Sequence, residues 1–300
     1  MRTIRTIAEL RDALAEPRRA GSRIGLVPTM GAFHDGHLSL MRHARADCDV
    51  VVVSLFVNPT QFNERADLDR YPRDEQRDAT LAADVGVDYL FAPSAAEVYP
   101  DGFATKVSVD AGLTNVLEGE LRGRGHFDAV TTVVSKLFNM VGPDFAYFGQ
   151  KDAQQALVIR RMVADLNLPV QIIVCPTVRE PDGLAMSSRN AHLSESERRQ
   201  AAALHRALDR ARDAVGDGER DPGAVAARAE AELIATGVEP EYFGLVSPDT
   251  LEPVEGIDGE VLAVVAARVG ATRLIDNQTL SPVPAEDRPP LEHTRCIARC

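Results

Sequence analysis

The amino-acid sequence predicts an α/β protein built on a doubly wound parallel sheet, with a smaller α+β domain at its C-terminal end. Three observations support this. Short β-branched segments alternate with amphipathic helical segments through the first half of the chain. Residues 50–57 are apolar except for one serine, as is typical of a central strand covered on both faces. After about residue 176 the pattern changes to two amphipathic helices followed by three β-like segments.

The first half reads as a regular succession of strands and helices. The predicted strands are residues 24–27, 50–57, 88–91, 145–148 and 170–174. The predicted helices are residues 37–46, 74–85, 130–140 and 152–166. This alternation implies right-handed βαβ units, and ligands of such sheets bind beyond the carboxyl ends of the strands. We therefore predict a Rossmann-like nucleotide-binding domain over residues 1–176.

The second half predicts an α+β lid domain over residues 177–280. Its helices are expected at 194–215 and 222–236, the first opened by a Ser194 and Glu197 capping box. Its β-like segments are residues 242–246, 261–268 and 273–276. Residues 281–300 begin with four prolines in ten residues, and we predict a disordered tail there.

Charge and composition limit the classes of function. The chain has 33 Lys and Arg against 45 Asp and Glu, a formal net charge of −12, which argues against a nucleic-acid partner and against anionic membranes. No apolar run approaches the length of a membrane span, and no secretory signal is evident at the N-terminus. The four cysteines, which include Cys296 and Cys300 near the C-terminus, form neither a disulfide framework nor a zinc pattern. We expect a cytoplasmic protein.

A histidine pair lies where the first predicted strand of the sheet runs into a helix. His34 and His37 flank Gly36 at the predicted helix N-terminus, where free backbone N–H groups attract anions. Imidazoles there can donate hydrogen bonds to a phosphoryl oxygen as negative charge develops. The alternative is a structural histidine pair in a turn. A zinc site is less favoured, because the i, i+4 spacing and the glutamate base are missing.

Two further loops carry candidate phosphate ligands. Ser187, Ser188 and Arg189 follow the last strand of the predicted sheet and suit a phosphate clamp, although an ordinary polar connection is the alternative. At the junction of residues 147–155, Lys151 offers a point charge, and Asp152 either caps the next helix or contacts a ligand.

Neutral carboxamides accompany these loops. Either Gln154 or Gln155 could face the cleft and bind hydroxyl or carboxylate groups. Residues 58–61 likewise follow a predicted strand, the second of the sheet, and either the cleft or the solvent could be what their side chains face.

Five segments together resemble the pantothenate synthetase family, which belongs to the nucleotidylyltransferase superfamily with His-x-Gly-His loops and is related to class I aminoacyl-tRNA synthetases. The resemblance extends in order from about residue 3 to Leu280. The segments are residues 28–37 (PTMGAFHDGH), 56–62 (FVNPTQF), 69–73 (DRYPR), 148–152 (FGQKD) and 186–190 (MSSRN).

The resemblance implies a two-step ligation. Pantoate would attack the α-phosphorus of ATP to give pantoyl adenylate and pyrophosphate, and β-alanine would then displace AMP to give pantothenate. It also implies a homodimer formed through the first domain and Mg²⁺ bridging the phosphates, for which Asp78 is a candidate ligand alongside Asp74 and Glu75.

The resemblance also assigns residues to roles. His34 and His37 would stabilise the transition state at the α-phosphate, with His37 as the expected proton donor. The triphosphate would be held by Lys151, Ser187, Ser188 and Arg189. Gln61 and Gln155 would bind pantoate. The ATP site would be lined by Met30, Gly31, Ala32, Phe33, His34, Asp35, Gly36, His37, Gly149, Gln150, Lys151, Asp152, Val178, Met186, Ser187, Ser188 and Arg189.

One segment departs from the family pattern. Where the family usually has Arg-Pro-Gly-His-Phe, this chain has Arg122-Gly-Arg-Gly-His-Phe127, so Arg122 and Arg124 both compete for the family's arginine position. His126 matches the family pattern without an assigned role.

Three other functions fit the sequence less well. Nucleotidylyl transfer to a phosphate acceptor uses the same histidine loop but would need a basic acceptor pocket in place of Gln61 and Gln155. A tRNA synthetase would need a basic anticodon-binding module. A nucleotide-sensing protein without activity is opposed by the intact His34, His37 and Lys151.

Overall fold

The computed structural model describes residues 1–62, 65–109 and 111–282 of the chain. Residue contacts divide the chain into two compact units, Met1–Leu193 and a second unit that begins at Ser194. The division lies later than the predicted domain boundary at residue 176. Residues 177–193 belong with the first unit, where Met186 approaches the start of α2: a Cβ added at Gly36 would lie 3.7 Å from the Cβ of Met186. Of the predicted tail, residues 283–300 lie outside the described residues, and Cys296 and Cys300 with them.

The first unit is organised by six parallel strands. They are β1 (Arg2–Ile4), β2 (Ile24–Thr29), β3 (Val50–Leu55), β4 (Tyr89–Phe91), β5 (Phe145–Gly149) and β6 (Gln171–Cys175). Their order across the sheet is β1-β4-β3-β2-β5-β6, and every pairing is parallel. The chain moves from β2 towards one edge through β3 and β4, then crosses back to β5 on the other side of β2. This reversal opens a crevice at the carboxyl ends of β2 and β5, where doubly wound sheets bind ligands.

Helices connect the strands of this unit. They are α1 (Ile7–Arg19), α2 (Asp35–Asp47), α3 (Arg65–Arg70), α4 (Glu75–Asp84), α5 (Ala95–Val98), α6 (Glu118–Arg122), α7 (Arg124–Val141) and α8 (Ala153–Asp165). Short 3₁₀ turns occur at Pro59–Gln61, Ala111–Leu113, Gln150–Asp152 and Ser188–His192. Neither β1 nor α1 was predicted from the sequence. A Thr6 and Glu9 capping box begins α1.

The core of this unit lies on both faces of the sheet. On β3, Val52 belongs to one buried cluster, while Val51 and Val53 belong to the other. Successive side chains of a strand point to opposite faces, so this division shows that β3 is covered on both sides. The predicted doubly wound architecture is thereby confirmed.

The second unit is a small α+β body. Its helices are α9 (Glu195–Ala201), α10 (Ala203–Gly216) and α11 (Pro222–Ala235). Its antiparallel sheet has the order β7 (Pro240–Val246), β8 (Val261–Val269), β9 (Thr272–Leu280). The predicted capping box of Ser194 and Glu197 is present. The single helix predicted over 194–215 is divided in two at Ala202, and β9 extends beyond the predicted residues 273–276.

No helix within the described ranges combines the length and the apolar character that crossing a membrane requires.

Candidate active site

A buried carboxylate shapes the loop that follows β2. Asp78, on α4, is 1 % exposed and accepts hydrogen bonds from the backbone N–H groups of Ala32 (2.7 Å, to Oδ2) and Phe33 (2.8 Å, to Oδ1). Ala32 has a φ of 54° and Gly31 a φ of 88°, both in the left-handed region. A carboxylate that accepts two consecutive N–H groups stabilises such a tight turn. Asp78 therefore stabilises residues 30–34, the loop between β2 and α2 for which the sequence predicts nucleotide binding (the nucleotide loop).

The predicted metal-binding role of Asp78 has no support in this geometry. Both of its oxygens already accept hydrogen bonds from the loop, and the described part of the chain contains no group of three or more His, Cys, Asp or Glu side chains that could hold a metal ion. The two alternatives are also engaged, because Asp74 caps α4 by accepting from the N–H of Arg77 and Glu75 pairs with Arg5. Sequence spacing alone could not distinguish these three carboxylates.

His34 and His37 cap α2 reciprocally. The Nδ1 of His34 accepts a hydrogen bond from the N–H of Gly36 (3.2 Å), and the Nδ1 of His37 accepts one from the N–H of His34 (3.4 Å). Two imidazoles thus occupy the positions that a hydroxyl and a carboxylate usually take in a capping box. The ring centroids are 4.1 Å apart. A Cβ at Gly36 would come within 2.9 Å of the His34 ring, which explains the glycine between the histidines.

This capping arrangement fixes the protonation of both rings. A ring nitrogen that accepts a hydrogen bond carries no proton, so the single proton of each neutral imidazole resides on Nε2. Burial, and then the neighbouring His34, lower the pKa of His37 to about 3. Burial, and then the charge of Lys151, lower the pKa of His34. Near neutral pH both rings are therefore uncharged Nε2–H donors.

Lys151 brings positive charge to the histidine pair. It lies in the 3₁₀ turn after β5, the strand beside β2, and its positive charge contributes to lowering the pKa of both histidines. Its side chain is 18 % exposed, and its Nζ lies 3.7 Å from Oδ1 of Asp152. Asp152 makes no side-chain capping hydrogen bond to α8. The capping alternative for Asp152 is therefore not realised.

The predicted phosphate clamp is a short hairpin that ends in a 3₁₀ turn. Met186 donates its N–H to the carbonyl of Val178 (2.9 Å), and Ser187 caps the turn by accepting from the N–H of Arg189 (3.3 Å). Buried Asn190 donates through Nδ2 to Glu180 Oε1 (2.9 Å) and to the carbonyl of Ala185 (3.0 Å). Arg189 itself is exposed at the surface of the unit. The scaffold of the clamp is thus fixed, while its guanidinium stays accessible to a ligand.

Tyr71 is a further site residue, which the sequence placed in a family motif without a role. Its hydroxyl is hydrogen-bonded to Ser188, and the charge of Arg189 acts on it. Burial raises the pKa of Tyr71, so the phenol stays protonated. Its ring packs edge-on against Phe62, with centroids 5.6 Å apart. Residues 69–73 are therefore linked to the clamp through a hydroxyl pair.

Gln61 lies after β3 in a network of buried amides. Asn58, 1 % exposed, donates its Nδ2 to the Oε1 of Gln61 (2.9 Å), so the Nε2 group of Gln61 is left to donate elsewhere. His126 is hydrogen-bonded to the backbone of Gln61, and burial, followed by the charge of Arg122, lowers the pKa of His126 to about 4. Asn58 and His126 are further residues of this region to which the sequence assigned no role.

The two neighbouring glutamines at the start of α8 differ in their partners. Gln154 is buried; its Oε1 accepts from the N–H of Glu118 (3.1 Å), and its Nε2 donates to the carbonyls of Leu113 (2.8 Å) and Val116 (2.9 Å). Gln155 is half-buried and makes no side-chain hydrogen bond with any part of the chain that the structure describes. The geometry favours Gln155 as the carboxamide available to a substrate.

The departure from the family pattern lies between α6 and α7. Arg122 ends α6 and donates its Nε to Glu118 Oε2 (2.8 Å), and Gly123 adopts a φ of 82° before α7 begins at Arg124. Arg122 is therefore engaged in an ion pair that stabilises this turn.

Comparisons with known proteins show which family the chain is similar to. The family model for pantoate-beta-alanine ligase matches residues 2–279. The pantothenate synthetase of Moorella thermoacetica is 56% identical over 93% of this chain and 99% of that protein, and that of Pelotomaculum thermopropionicum is 52% identical over 92% and 97%.

Solved structures show the same similarity. A crystal structure of pantothenate synthetase from Thermus thermophilus has a TM-score of 0.89 and 48% identity, covering 95% of this chain and all 100% of that one. The pantoate-beta-alanine ligase of Francisella tularensis, crystallised with beta-gamma ATP and beta-alanine, has a TM-score of 0.78 and 34% identity over 94% and 100% of the two chains. On the strength of the matched length, the sequence identity and the shared fold, this chain belongs to the pantoate-beta-alanine ligase family.

Proposed function

We propose that this protein condenses pantoate with β-alanine at the expense of ATP, through a pantoyl adenylate, and releases AMP and pyrophosphate. Membership of the family supports the reaction, and the relative from Francisella tularensis was crystallised with beta-gamma ATP and beta-alanine. The observation that carries the proposal is the reciprocal histidine cap of α2 at the carboxyl end of β2, which leaves two Nε2–H donors within the electrostatic influence of Lys151.

The first step needs charge neutralisation and alignment more than covalent catalysis. A carboxylate oxygen of pantoate forms a bond to the α-phosphorus while the bond from that phosphorus to the β-phosphate bridging oxygen breaks, and pyrophosphate leaves. Negative charge on the equatorial oxygens is stabilised by placed donors. His34 and His37 supply neutral N–H groups, and Lys151 supplies a positive charge. Arg189, on the clamp, would hold the outer phosphates.

The nucleotide is proposed to lie along the two loops at the carboxyl ends of β2 and β5, closed by the clamp. The backbone N–H groups of the loop before α2 are already used, because those of Ala32 and Phe33 donate to Asp78 and those of His34 and Gly36 donate to the histidine rings, so the Nε2–H groups of His34 and His37 would face the phosphates instead. The proposed ATP-binding residues are Met30, Gly31, Ala32, Phe33, His34, Asp35, Gly36, His37, Gly149, Gln150, Lys151, Asp152, Val178, Met186, Ser187, Ser188 and Arg189.

The second step consumes the activated acid. The neutral amine of β-alanine attacks the carbonyl carbon of pantoyl adenylate, the bond between that carbon and the phosphate oxygen breaks, AMP leaves with the displaced electron pair, and the nitrogen loses one proton to solvent as the amide forms. Gln61 and Gln155 are proposed to bind pantoate, and Gln61 also β-alanine. The free Nε2 group of Gln61 suits a hydroxyl or a carboxylate of the substrate.

Mg²⁺ is proposed to enter with ATP. Mg²⁺ usually keeps several waters and binds through substrate phosphates, so the triphosphate would hold most of its coordination sphere. A homodimer and a cytoplasmic location stay predictions. The dimer is checked by light scattering, which should give about twice the chain mass of 32.5 kDa.

The direct test supplies ATP, Mg²⁺, pantoate and β-alanine. AMP and pyrophosphate should appear in equal amounts, and the complete lack of AMP under these conditions would refute the proposal. His37→Ala or Lys151→Ala should slow adenylate formation by roughly two to three orders of magnitude, the scale for removing one transition-state donor. His43→Ala is the matched control, because His43 is exposed on the same helix as His37. Near-normal rates in both folded site variants would contradict the assigned roles.

A further inference from the structure

We infer that Tyr99 and Thr60 are positioning residues for the acid substrate, and that they act by fixing the orientation of the Gln61 carboxamide through Asn58. This inference rests on the proposed role of Gln61 in binding pantoate. Neither Tyr99 nor Thr60 need touch the substrate. Their effect is to determine which end of the Gln61 amide faces it.

The network begins with three donors, of which only the backbone N–H has a fixed direction, because a hydroxyl can either donate or accept. The Oδ1 of Asn58 accepts hydrogen bonds from the backbone N–H of Thr60 (3.3 Å), the hydroxyl of Thr60 (2.9 Å) and the hydroxyl of Tyr99 (3.0 Å). The N–H favours the orientation in which the oxygen end of Asn58 faces this group, and the two hydroxyls stabilise that orientation further by donating to the same oxygen. Asn58 is 1 % exposed, and water does not compete for these bonds.

The orientation then passes from one amide to the next. Because the oxygen of Asn58 faces Thr60 and Tyr99, its Nδ2 faces the other way, where it donates to Gln61 Oε1 (2.9 Å) and to the carbonyl of Ala129 (3.4 Å). The oxygen of Gln61 is thereby used, and its Nε2 remains as a donor. If Asn58 turned over, Gln61 would present its carbonyl oxygen to an anionic substrate, and the two would repel each other.

Tyr99 is held in place independently of its hydroxyl. Its ring packs against Phe56 (centroids 6.2 Å apart) and Phe103 (5.1 Å), and the ammonium of Lys136 lies 5.8 Å from its ring centroid. Replacing Tyr99 by phenylalanine removes the hydrogen bond and keeps this aromatic packing. The variant Tyr99→Phe is therefore a specific perturbation of the network.

The kinetics of the variants distinguish a structural role of the Tyr99 and Thr60 hydroxyls from a positioning role. Loss of stability alone would lower the amount of active enzyme and leave the KM values unchanged. Loss of orientation weakens pantoate binding and leaves ATP binding intact, because the network ends at Gln61 and, among the described residues, makes no hydrogen bond to residues 30–37. The effect must also depend on the presence of Gln61.

The experiment measures pantoate and ATP KM for Tyr99→Phe, Thr60→Val and their double variant. Each single variant should raise the pantoate KM about fivefold, the scale of one hydrogen bond, and the double variant by more, with the ATP KM unchanged. In a Gln61→Ala background, Tyr99→Phe should raise the pantoate KM no further. Tyr89→Phe is the matched control, because the Tyr89 hydroxyl donates to the carbonyl of Ala13.

The outcomes separate the inference from the proposed function. If the unmodified enzyme forms AMP but both single variants keep its pantoate KM, the inference is overturned and the proposed function stands. A pantoate effect of Tyr99→Phe that persists undiminished in the Gln61→Ala background also overturns it, because the action would not pass through Gln61. If the unmodified enzyme forms no AMP with pantoate, the proposed function fails, and the inference fails with it.

Discussion

Asp78 offers a sharp test of how the nucleotide loop is built. The variant Asp78→Asn changes one oxygen into an NH₂ group and keeps the side-chain shape. In the structure, each carboxylate oxygen accepts one backbone N–H from the loop, from Ala32 and Phe33. An asparagine can accept only one of these two bonds, and its NH₂ group must then face the other N–H donor.

The magnitude follows from these contacts. A hydrogen bond to a charged group contributes about 1.5–3 kcal/mol, and a buried donor left unsatisfied costs about 1–3 kcal/mol. Asp78 is 1 % exposed, so water cannot replace the lost acceptor. Asp78→Asn should therefore lower the free energy of unfolding by about 3 kcal/mol. Because the same loop carries His34, the KM for ATP should rise as well.

Urea denaturation without metal or nucleotide, combined with ATP kinetics over a range of Mg²⁺ concentrations, measures both effects. Asp84→Asn is the matched control, because Asp84 is exposed at the end of the same helix. A loss of stability without Mg²⁺ is expected from the loop-holding role. Unchanged stability, together with activity restored by excess Mg²⁺, would refute this reasoning and restore Asp78 as a metal ligand.

Three further predictions concern the site and its supports. Burial lowers the folded-state pKa of His37 to about 3, below the ordinary value near 6.5, so the unfolded chain binds more protons than the folded chain between these two pH values. The free energy of unfolding should therefore fall as the pH drops through this range, by up to about 1.4 kcal/mol per pH unit. Denaturation of His37→Gln at several pH values should show a shallower fall. Gln155→Ala should raise the KM for pantoate more than the KM for ATP and leave the stability unchanged. Gln154→Ala should lower the melting temperature, because the buried Gln154 side chain makes three hydrogen bonds. Equal melting temperatures for the two variants would contradict this assignment. Gly119→Ala should destabilise the protein by more than about 1 kcal/mol in urea denaturation, because its Cβ would lie 2.0 Å from a backbone oxygen, while Gly112→Ala, with open space around it, should be close to neutral.

The fold was predictable where hydrophobic patterning is strong. Residues 50–57 predicted a central strand, and β3 is indeed buried on both faces. β1 was missed because a three-residue edge strand, Arg2–Ile4, is too short to show a period and carries charge. The helix predicted over 194–215 was continuous in its apolar pattern, but the backbone divides it at Ala202, which no side-chain pattern marks. The periodicity of apolar residues carries no information about a local backbone break of this kind.

The site was predictable in its residue types and not in its hydrogen bonds. The sequence indicated that His34 and His37 lie at a helix N-terminus, which the structure bears out. It could not indicate that the rings cap the helix themselves, because that depends on side-chain rotamers. It likewise left Gln154 and Gln155 equivalent, and the distinction comes from loop residues 113–118, distant in sequence, that bind only Gln154.

The electrostatics of the site reconcile an acidic chain with a polyanionic substrate. A net charge of −12 opposes binding to an extended polyanion, whose many phosphates each need a cation, whereas one nucleotide needs only a few local donors. Charged imidazoles would add attraction, but they would also repel Lys151, whose ammonium already depresses the pKa of both histidines. Neutral rings with their protons fixed on Nε2 avoid that repulsion and, in the proposed site, would still donate to the phosphate, with positive charge supplied by Lys151, Arg189 and the Mg²⁺ that enters with ATP. The helix cap thus serves the chemistry directly, because it selects the tautomer that can donate without carrying charge.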